Sequence, residues 1–272
     1  MAMTKIKNII NSFLQYFDII ITRYSRFKKL SISKDSSFDV EFLLTLPSDN
    51  ISKVLKYLRK SKSQIRQDLF VLSHLNFKSN GFFVEFGATN GIEKSNTYLL
   101  EKEFKWTGIL AEPAKCWHND LKNNRSVNIE KKCVWKDSTS TLTFNETNDK
   151  ELSTINEFSY LDRWKEKRKS GKTYDVKTIS LNKLLDDNNA PQQIDYLSID
   201  TEGSEFEILN NFDFSKYSFN VITCEHNYTS LREQIFDLLS KNGYSRVYQN
   251  LTQFDDWYIK SNNKQKKMER KT

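Results

Sequence analysis

The chain has 272 residues, enough for one large domain with a full core plus appendages, at 38% hydrophobic and 28% charged residues. Seven glycines and three prolines exclude collagen-like and Gly/Pro-rich disordered classes. The formal net charge of +7 sits at the ends: residues 1–30 and 260–272 each carry six basic residues against one acidic, leaving a slightly acidic body that lacks the basic face of a nucleic-acid binder.

Residues 5–29 space Ile6, Ile9, Ile10, Phe13, Leu14, Phe17, Ile20, Ile21 and Tyr24 as one apolar helical stripe with basic ends. It reads as a helix packed on the domain or on a partner chain, as an interfacial membrane helix, or as a cleavable targeting segment. Asn8, Asn11, Ser12, Gln15, Asp18 and Thr22 make it too polar for a membrane span. No secretory signal is visible, so a cytoplasmic location, at most at the membrane surface, is expected. Asn50–Leu58 and Ser63–Phe77 read as helices.

From Gly81 strands and helices alternate. Gly81–Gly87, Thr107–Glu112, Val127–Trp135, Thr139–Asn145, Lys172–Ile179, Ile194–Asp200, Phe219–Glu225, Arg246–Gln249 and Trp257–Lys260 read as strands. Ser95–Phe104, Ala114–Asn123, Leu181–Asp187 and Ser204–Phe212 read as helices. Glu146–Lys172 is polar and aperiodic, a long loop or mobile insertion. Tyr228–Asn242 is a helix with Ser230 and Glu233 as a capping box and Gly243 at its stop. Cys116, Cys133 and Cys224 are far apart, without CxxC or zinc spacing, and read as reduced thiols. The alternation predicts an α/β fold with a mostly parallel sheet, whose ligands bind at the C-terminal strand ends.

The chemistry-bearing residues fall at those ends. The first strand ends in Glu85-Phe-Gly87-Ala-Thr-Asn-Gly91, and the second in Glu112-Pro113. A glycine after a strand permits a tight turn, and an acid at the second strand end can accept from both ribose hydroxyls of an adenosine. A dinucleotide would call for G-x-G-x-x-G to seat its pyrophosphate. Two glycines preceded by an acid favour instead a cofactor with a cationic amino-acid end, S-adenosylmethionine, with Glu85 near its ammonium and Glu112 near its ribose. A plain turn is the bland reading of Gly87 and Gly91.

Two later strands end in Asp200-Thr-Glu202-Gly-Ser-Glu205 and Cys224-Glu225-His226-Asn227. Buried strands that end in acidic clusters point to a site. Methyl transfer to a hydroxyl needs close placement and a base, and His226 is the obvious base by intrinsic pKa. Asp200 with Glu225 could alternatively hold a divalent cation, Mg or Mn. A hydrogen-bonded structural histidine and an N-cap role for Asp200 or Glu202 are the bland readings. His74 and His118 read as surface or packing residues.

The sequence resembles the FkbM-type S-adenosylmethionine-dependent methyltransferases. The resemblance rests on Ser63-Gln-Ile-Arg-Gln-Asp68, Gly81 to Gly91 with Ser95-Asn96-Thr97, Gly108 to Pro113, Asn124-Arg125 before Cys133, Ile194 to Glu205, Glu225-His226-Asn227 and Asp255-Asp256-Trp257, in order over roughly 61–260. It implies a Rossmann-like class I methyltransferase fold with a mostly parallel seven-stranded sheet flanked by helices, and O-methylation of a hydroxyl on a sugar, glycan or glycosylated metabolite. It further implies that Gln64, Asp68 and Asn96 join Glu85, Gly87, Gly91, Glu112, Cys133 and Asp200 around the cofactor. Asp200, Glu202, Glu225 and His226 then face the acceptor. The expected organisation is an N-terminal helical extension over 1–60, the methyltransferase domain over 61–260 and a disordered basic tail over 261–272. The expected partners are a saccharide or glycan acceptor, a membrane surface met by residues 5–29 and a second copy in a homo-oligomer; nucleic acid is not among them. The competing readings are an NAD(P)-dependent oxidoreductase and a non-catalytic membrane-associated module of the same fold.

Overall fold

A computed structural model describes residues 34–261. The helix expected over 5–29 and the basic tail from 262 lie outside the described residues. The chain divides into two compact units, 1–45 and 46–272. In the first, the described part is helix α1 (Lys34–Thr45). The second begins with α2 (Ser48–Tyr57), whose buried Asn50 donates to the carbonyl and hydroxyl oxygens of Ser73 at 3.0 and 2.9 Å. No helix among the described residues is long and apolar enough to cross a membrane.

The other helices are α3 (Gln67–His74), α4 (Tyr98–Phe104), α5 (His118–Asn124), α6 (Lys165–Arg168), α7 (Leu181–Asp187), α8 (Glu205–Asn210) and α9 (Leu231–Lys241). Helix α3 is shorter than the Ser63–Phe77 pattern suggests, because Arg66 takes a left-handed backbone (φ 65°) and the helix starts after it. The Ser230–Glu233 capping box does not form. Ser230 already has helical angles and makes no cap, and Glu233 pairs with Arg246 at 3.1 Å.

Seven strands form the main sheet: β1 (Phe82–Phe86), β2 (Thr107–Ala111), β3 (Asn128–Glu130), β8 (Gln193–Ile199), β9 (Ser218–Glu225), β10 (Tyr244–Val247) and β11 (Asp255–Lys260). Their order is β10-β11-β9-β8-β1-β2-β3. The run β3-β2-β1-β8-β9 is parallel, whereas β11 is antiparallel to both its neighbours. The central strands are buried along most of their length, which is why they read as continuous apolar runs. Val84, Ile109, Leu197 and Ile222 join one core with Leu184, Leu209 and Leu239 of the helices.

The expectation of one mostly parallel sheet is corrected: the sheets are mixed. Beside the reversed β11, a second sheet of order β4-β7-β5-β6 is built from β4 (Cys133–Trp135), β5 (Thr141–Glu146), β6 (Thr154–Ile155) and β7 (Lys172–Ser180). Only its β4–β7 pairing is parallel. The strand expected over Val127–Trp135 is thus two, one in each sheet. Between them the Glu130 carboxylate accepts from the backbone N–H groups of Lys131 and Lys132, both at 2.9 Å, which takes those amides out of the ladder.

Candidate active site

Strand register builds the site. Phe86 stands opposite Ala111 and Ile199, and Ile199 opposite Cys224. The next residue on each strand therefore falls in one row along the sheet edge: Glu112, Gly87, Asp200, Glu225. Neighbouring strands lie about 4.8 Å apart, so the row brings three carboxylates together with one gap. The gap must be glycine. A Cβ on Gly87 would lie 2.0 Å from the Asp200 carbonyl oxygen, and its φ is +73°.

The row is the floor of an open cleft. The second sheet walls one side with Cys133, Val134, Phe144 and Ile155, and the segment 150–164 covers it with Leu152, Ser153, Arg163 and Trp164. The expected 146–172 loop is ordered. Its Arg168 side chain is fully buried and donates to Asp162 and Glu202, each at 2.7 Å, and to the Leu152 carbonyl at 2.8 Å. One guanidinium thus ties the insertion to the strand-end acids. Lys94, ion-paired with Glu151 of that segment, also lines the cleft.

Glu112 is 4% exposed and accepts from the N–H groups of Thr89 and Ala114, both at 2.8 Å. Burial pushes its carboxyl up to about 7, against the pull of those two amides. Burial likewise raises Asp200 to about 6, while a hydrogen bond with Glu225 works against the rise. Glu225 is held well above the carboxylate range by burial and then by the charges of Asp200, Glu202 and Glu205; it is the protonated partner of that pair. Its Oε2 is buried and has no conventional donor. Burial and Asp200 also raise Glu202, with Arg168 opposing, and Asn227 donates to Glu202 at 3.2 Å. Asp200, Glu202 and Glu225 present oxygens within 4.8 Å of one another, a set that could hold a hard divalent cation.

Of the expected residues, Gln64, Gly87, Glu112, Cys133, Asp200, Glu202 and Glu225 line the cleft. Other expected residues stand elsewhere. Glu85 does not line it: its carboxylate accepts from Ser95 Oγ (3.1 Å), the Asn96 N–H (2.7 Å) and Thr97 Oγ1, with Arg125 at 3.6 Å. No face of it is left for an ammonium. Asn96 donates to Ser198 Oγ at 3.0 Å behind the same turn. Gly91 packs against Leu121 and Arg125, where a Cβ would come within 2.6 Å. Asp68 is fully buried at the start of α3, accepting from Ser61 and the Leu69 N–H, and burial lifts it to about 6. The Cys133 thiol is pushed up to about 12 by burial, so it contributes surface and no charge.

His226 stands apart from the row. It lies in a neighbouring cavity rather than in the cleft. Its Nδ1 accepts from the Tyr228 N–H at 3.0 Å, so the ring proton sits on Nε2, 3.8 Å from Asp256. Burial lowers its pKa and keeps the ring neutral. A neutral imidazole protonated on its free nitrogen has no lone pair to offer.

Sequence reasoning missed Trp117, Phe144, Arg163, Trp164 and Phe254, which also line the cleft. Alternation in Thr139–Asn145 marked Phe144 as one buried face; nothing in the local sequence marked the others.

In α/β sheets of this kind, ligands bind at the C-terminal strand edge, and here that edge carries acids and a glycine beneath a cleft. The family model described as the methyltransferase FkbM domain matches residues 85–246, more than half of the chain, and the chain belongs to that family. A precorrin-6y C5,15-methyltransferase from Geobacter metallireducens GS-15 is similar over 66% of this chain and 71% of that one, at 11% identity and a TM-score of 0.38. No curated protein matches the chain.

Proposed function

We propose that the protein is an S-adenosylmethionine-dependent O-methyltransferase of Rossmann-like class I architecture, acting on a hydroxyl of a sugar, glycan or glycosylated metabolite. The observation that carries the reading is the Glu112–Gly87–Asp200–Glu225 row under a cleft without a phosphate-binding glycine loop. The donor set suits this cofactor and not a dinucleotide. Glu112 retains lone pairs for ribose hydroxyls, and Asp200 and Glu202 offer negative charge to a cationic ligand. Cys133 gives apolar lining for an adenine.

When bound, the cofactor supplies an electrophilic methyl group. The chain's part is to hold the acceptor hydroxyl in line, exclude water and take the proton. Asp200 is the base: it lines the cleft, lies next to the glycine gap and has its pKa raised toward neutrality. Glu225, protonated beside it, keeps Asp200 ionised through their shared hydrogen bond.

A divalent cation on Asp200, Glu202 and Glu225 is the second reading, favoured by the partnerless Glu225 Oε2. It would acidify the hydroxyl in place of a protein base. Loss of transfer in EDTA with recovery on Mn2+ would select it, and full activity in EDTA would select Asp200.

Calorimetry with S-adenosylhomocysteine and with NAD tests the cofactor. Binding of NAD alone would sink the methyltransferase reading. Mass spectrometry of cell glycans with and without the gene tests the acceptor, with loss of one-methylene increments expected; a change confined to lipids would move the substrate class.

A further inference from the structure

The cleft does not end at the acidic row. A second cavity opens behind it, and Glu202, Glu225 and Asn227 line both spaces. What lies in one is separated from the other only by these side chains. The second cavity has its own character. Its titratable lining is Asp162, Glu202, Glu205, Glu225, His226 and Tyr228, with no lysine or arginine. Leu161 and Tyr228 line it and are 58% and 60% exposed, and Tyr160 beside them is 62% exposed. Exposed large apolar side chains are few among the described residues, and two of them line this cavity.

Tyr228 is held there at a cost. Asn227 and Tyr228 both have positive φ (44° and 58°), a conformation that a bulky residue avoids unless its surroundings impose it. The surroundings are the bond from the Tyr228 N–H to His226 Nδ1, the Asn227 N–H on the Phe254 carbonyl at 3.2 Å, and the His226 ring standing edge-on to the Tyr228 ring at 5.4 Å. A strained backbone that presents an aromatic ring to solvent beside hydrogen-bond acceptors is a binding surface in search of a ligand with an apolar face and several hydroxyl donors.

We infer that this second cavity is the acceptor subsite and that it takes an uncharged saccharide ring, stacked on Tyr228 with its hydroxyls toward Glu202 and Asn227. The inference rests on the cleft being the methyl-donor side. It goes further in assigning the entry side, in giving His226 a positioning role and in preferring uncharged over phosphorylated or uronic acceptors, for which the lining holds no lysine or arginine.

Saturation-transfer NMR on the full chain with S-adenosylhomocysteine tests it, using a methyl hexoside, glucosamine and glucose 6-phosphate as probes. The methyl hexoside should saturate and the phosphate should not. Tyr228→Asn keeps a residue that tolerates the left-handed backbone and should weaken hexoside binding by roughly tenfold, with S-adenosylhomocysteine affinity unchanged. Leu161→Asp, on the exposed rim, should weaken it in the same direction. Preference for the phosphate, hexoside binding that survives both variants, or no hexoside binding by a chain that binds S-adenosylhomocysteine would overturn the subsite. Failure to bind S-adenosylhomocysteine, with hexoside binding intact, would instead overturn the donor-side reading.

Discussion

The ends of β1 and of β8–β9 hold acids in one sheet, and they treat them in opposite ways. At β1, Glu85 is closed off. Ser95, Asn96 and Thr97 donate to it, and Arg125, whose side chain is fully buried, spans Glu101, Ser95, Thr97 and the Gly91 carbonyl behind it. At β8 and β9, Asp200 and Glu225 have each other, an orphaned oxygen and the cleft. A buried carboxylate with every lone pair matched braces the turn, whereas one left with spare capacity is available for chemistry.

The largest expected effect breaks the closed region. Arg125→Met leaves Glu85 and Glu101 without their common cation and should destabilise the fold by about 3–5 kcal/mol in urea denaturation. Glu225→Gln should instead hold the midpoint, because Glu225 is already the neutral partner and the Gln amide keeps a donor for Asp200. If the two variants lose equal stability, the contrast between the regions is wrong.

Next is Asp200→Asn, which keeps the shape and removes the base. Transfer of labelled methyl to a neutral glycoside should fall by roughly 10²–10⁴-fold, with the thermal midpoint unchanged or higher. A change under tenfold would remove Asp200 from the chemistry.

A smaller effect follows from Glu112. Its carboxyl is raised from 4.5 to about 7, so the folded state binds the proton more tightly than the unfolded chain. That advantage is complete below pH 4.5 and is lost as the pH rises to about 7, a difference on the order of 3 kcal/mol. Thermal midpoints of the free protein should therefore drop between pH 5 and 8 from this group. S-adenosylhomocysteine, whose ribose hydroxyls favour the ionised form, should recover more stability at pH 8 than at pH 5.5. Equal recovery at both values would take Glu112 out of the cofactor contact.

The contrast also marks what a sequence can carry. The acids at 85, 112, 200 and 225 were legible because each follows an apolar run, and the alternation of elements put all four ends on one edge. Their division of labour was not legible. Glu85 is closed by Arg125, 40 residues on in the chain, and only the fold brings the two together. The second sheet was missed for the same reason: the chain leaves the main sheet after the three residues of β3 and enters the second at β4, and β5–β7 pair across an insertion whose anchor, Arg168, reads locally as one more charge among lysines. The reversal of β11 follows from long-range pairing with β9, which no local pattern encodes. His226 was overvalued on intrinsic pKa, because tautomer and contact, set by the Tyr228 N–H, decide what an imidazole can do.

The smallest predicted effect concerns that histidine. If His226 positions Tyr228 rather than taking a proton, His226→Phe should raise the KM for a neutral acceptor by roughly fivefold, the worth of one hydrogen bond, and leave kcat nearly alone. Asn can place its side-chain oxygen where Nδ1 stands, so His226→Asn should bring KM most of the way back. A base would behave otherwise: both substitutions would cut kcat by roughly a hundredfold or more, since neither Phe nor Asn can accept the proton, and Asn would rescue nothing. The split between KM and kcat therefore decides whether the open region's chemistry stops at Asp200 and Glu225 or extends through the wall into the second cavity.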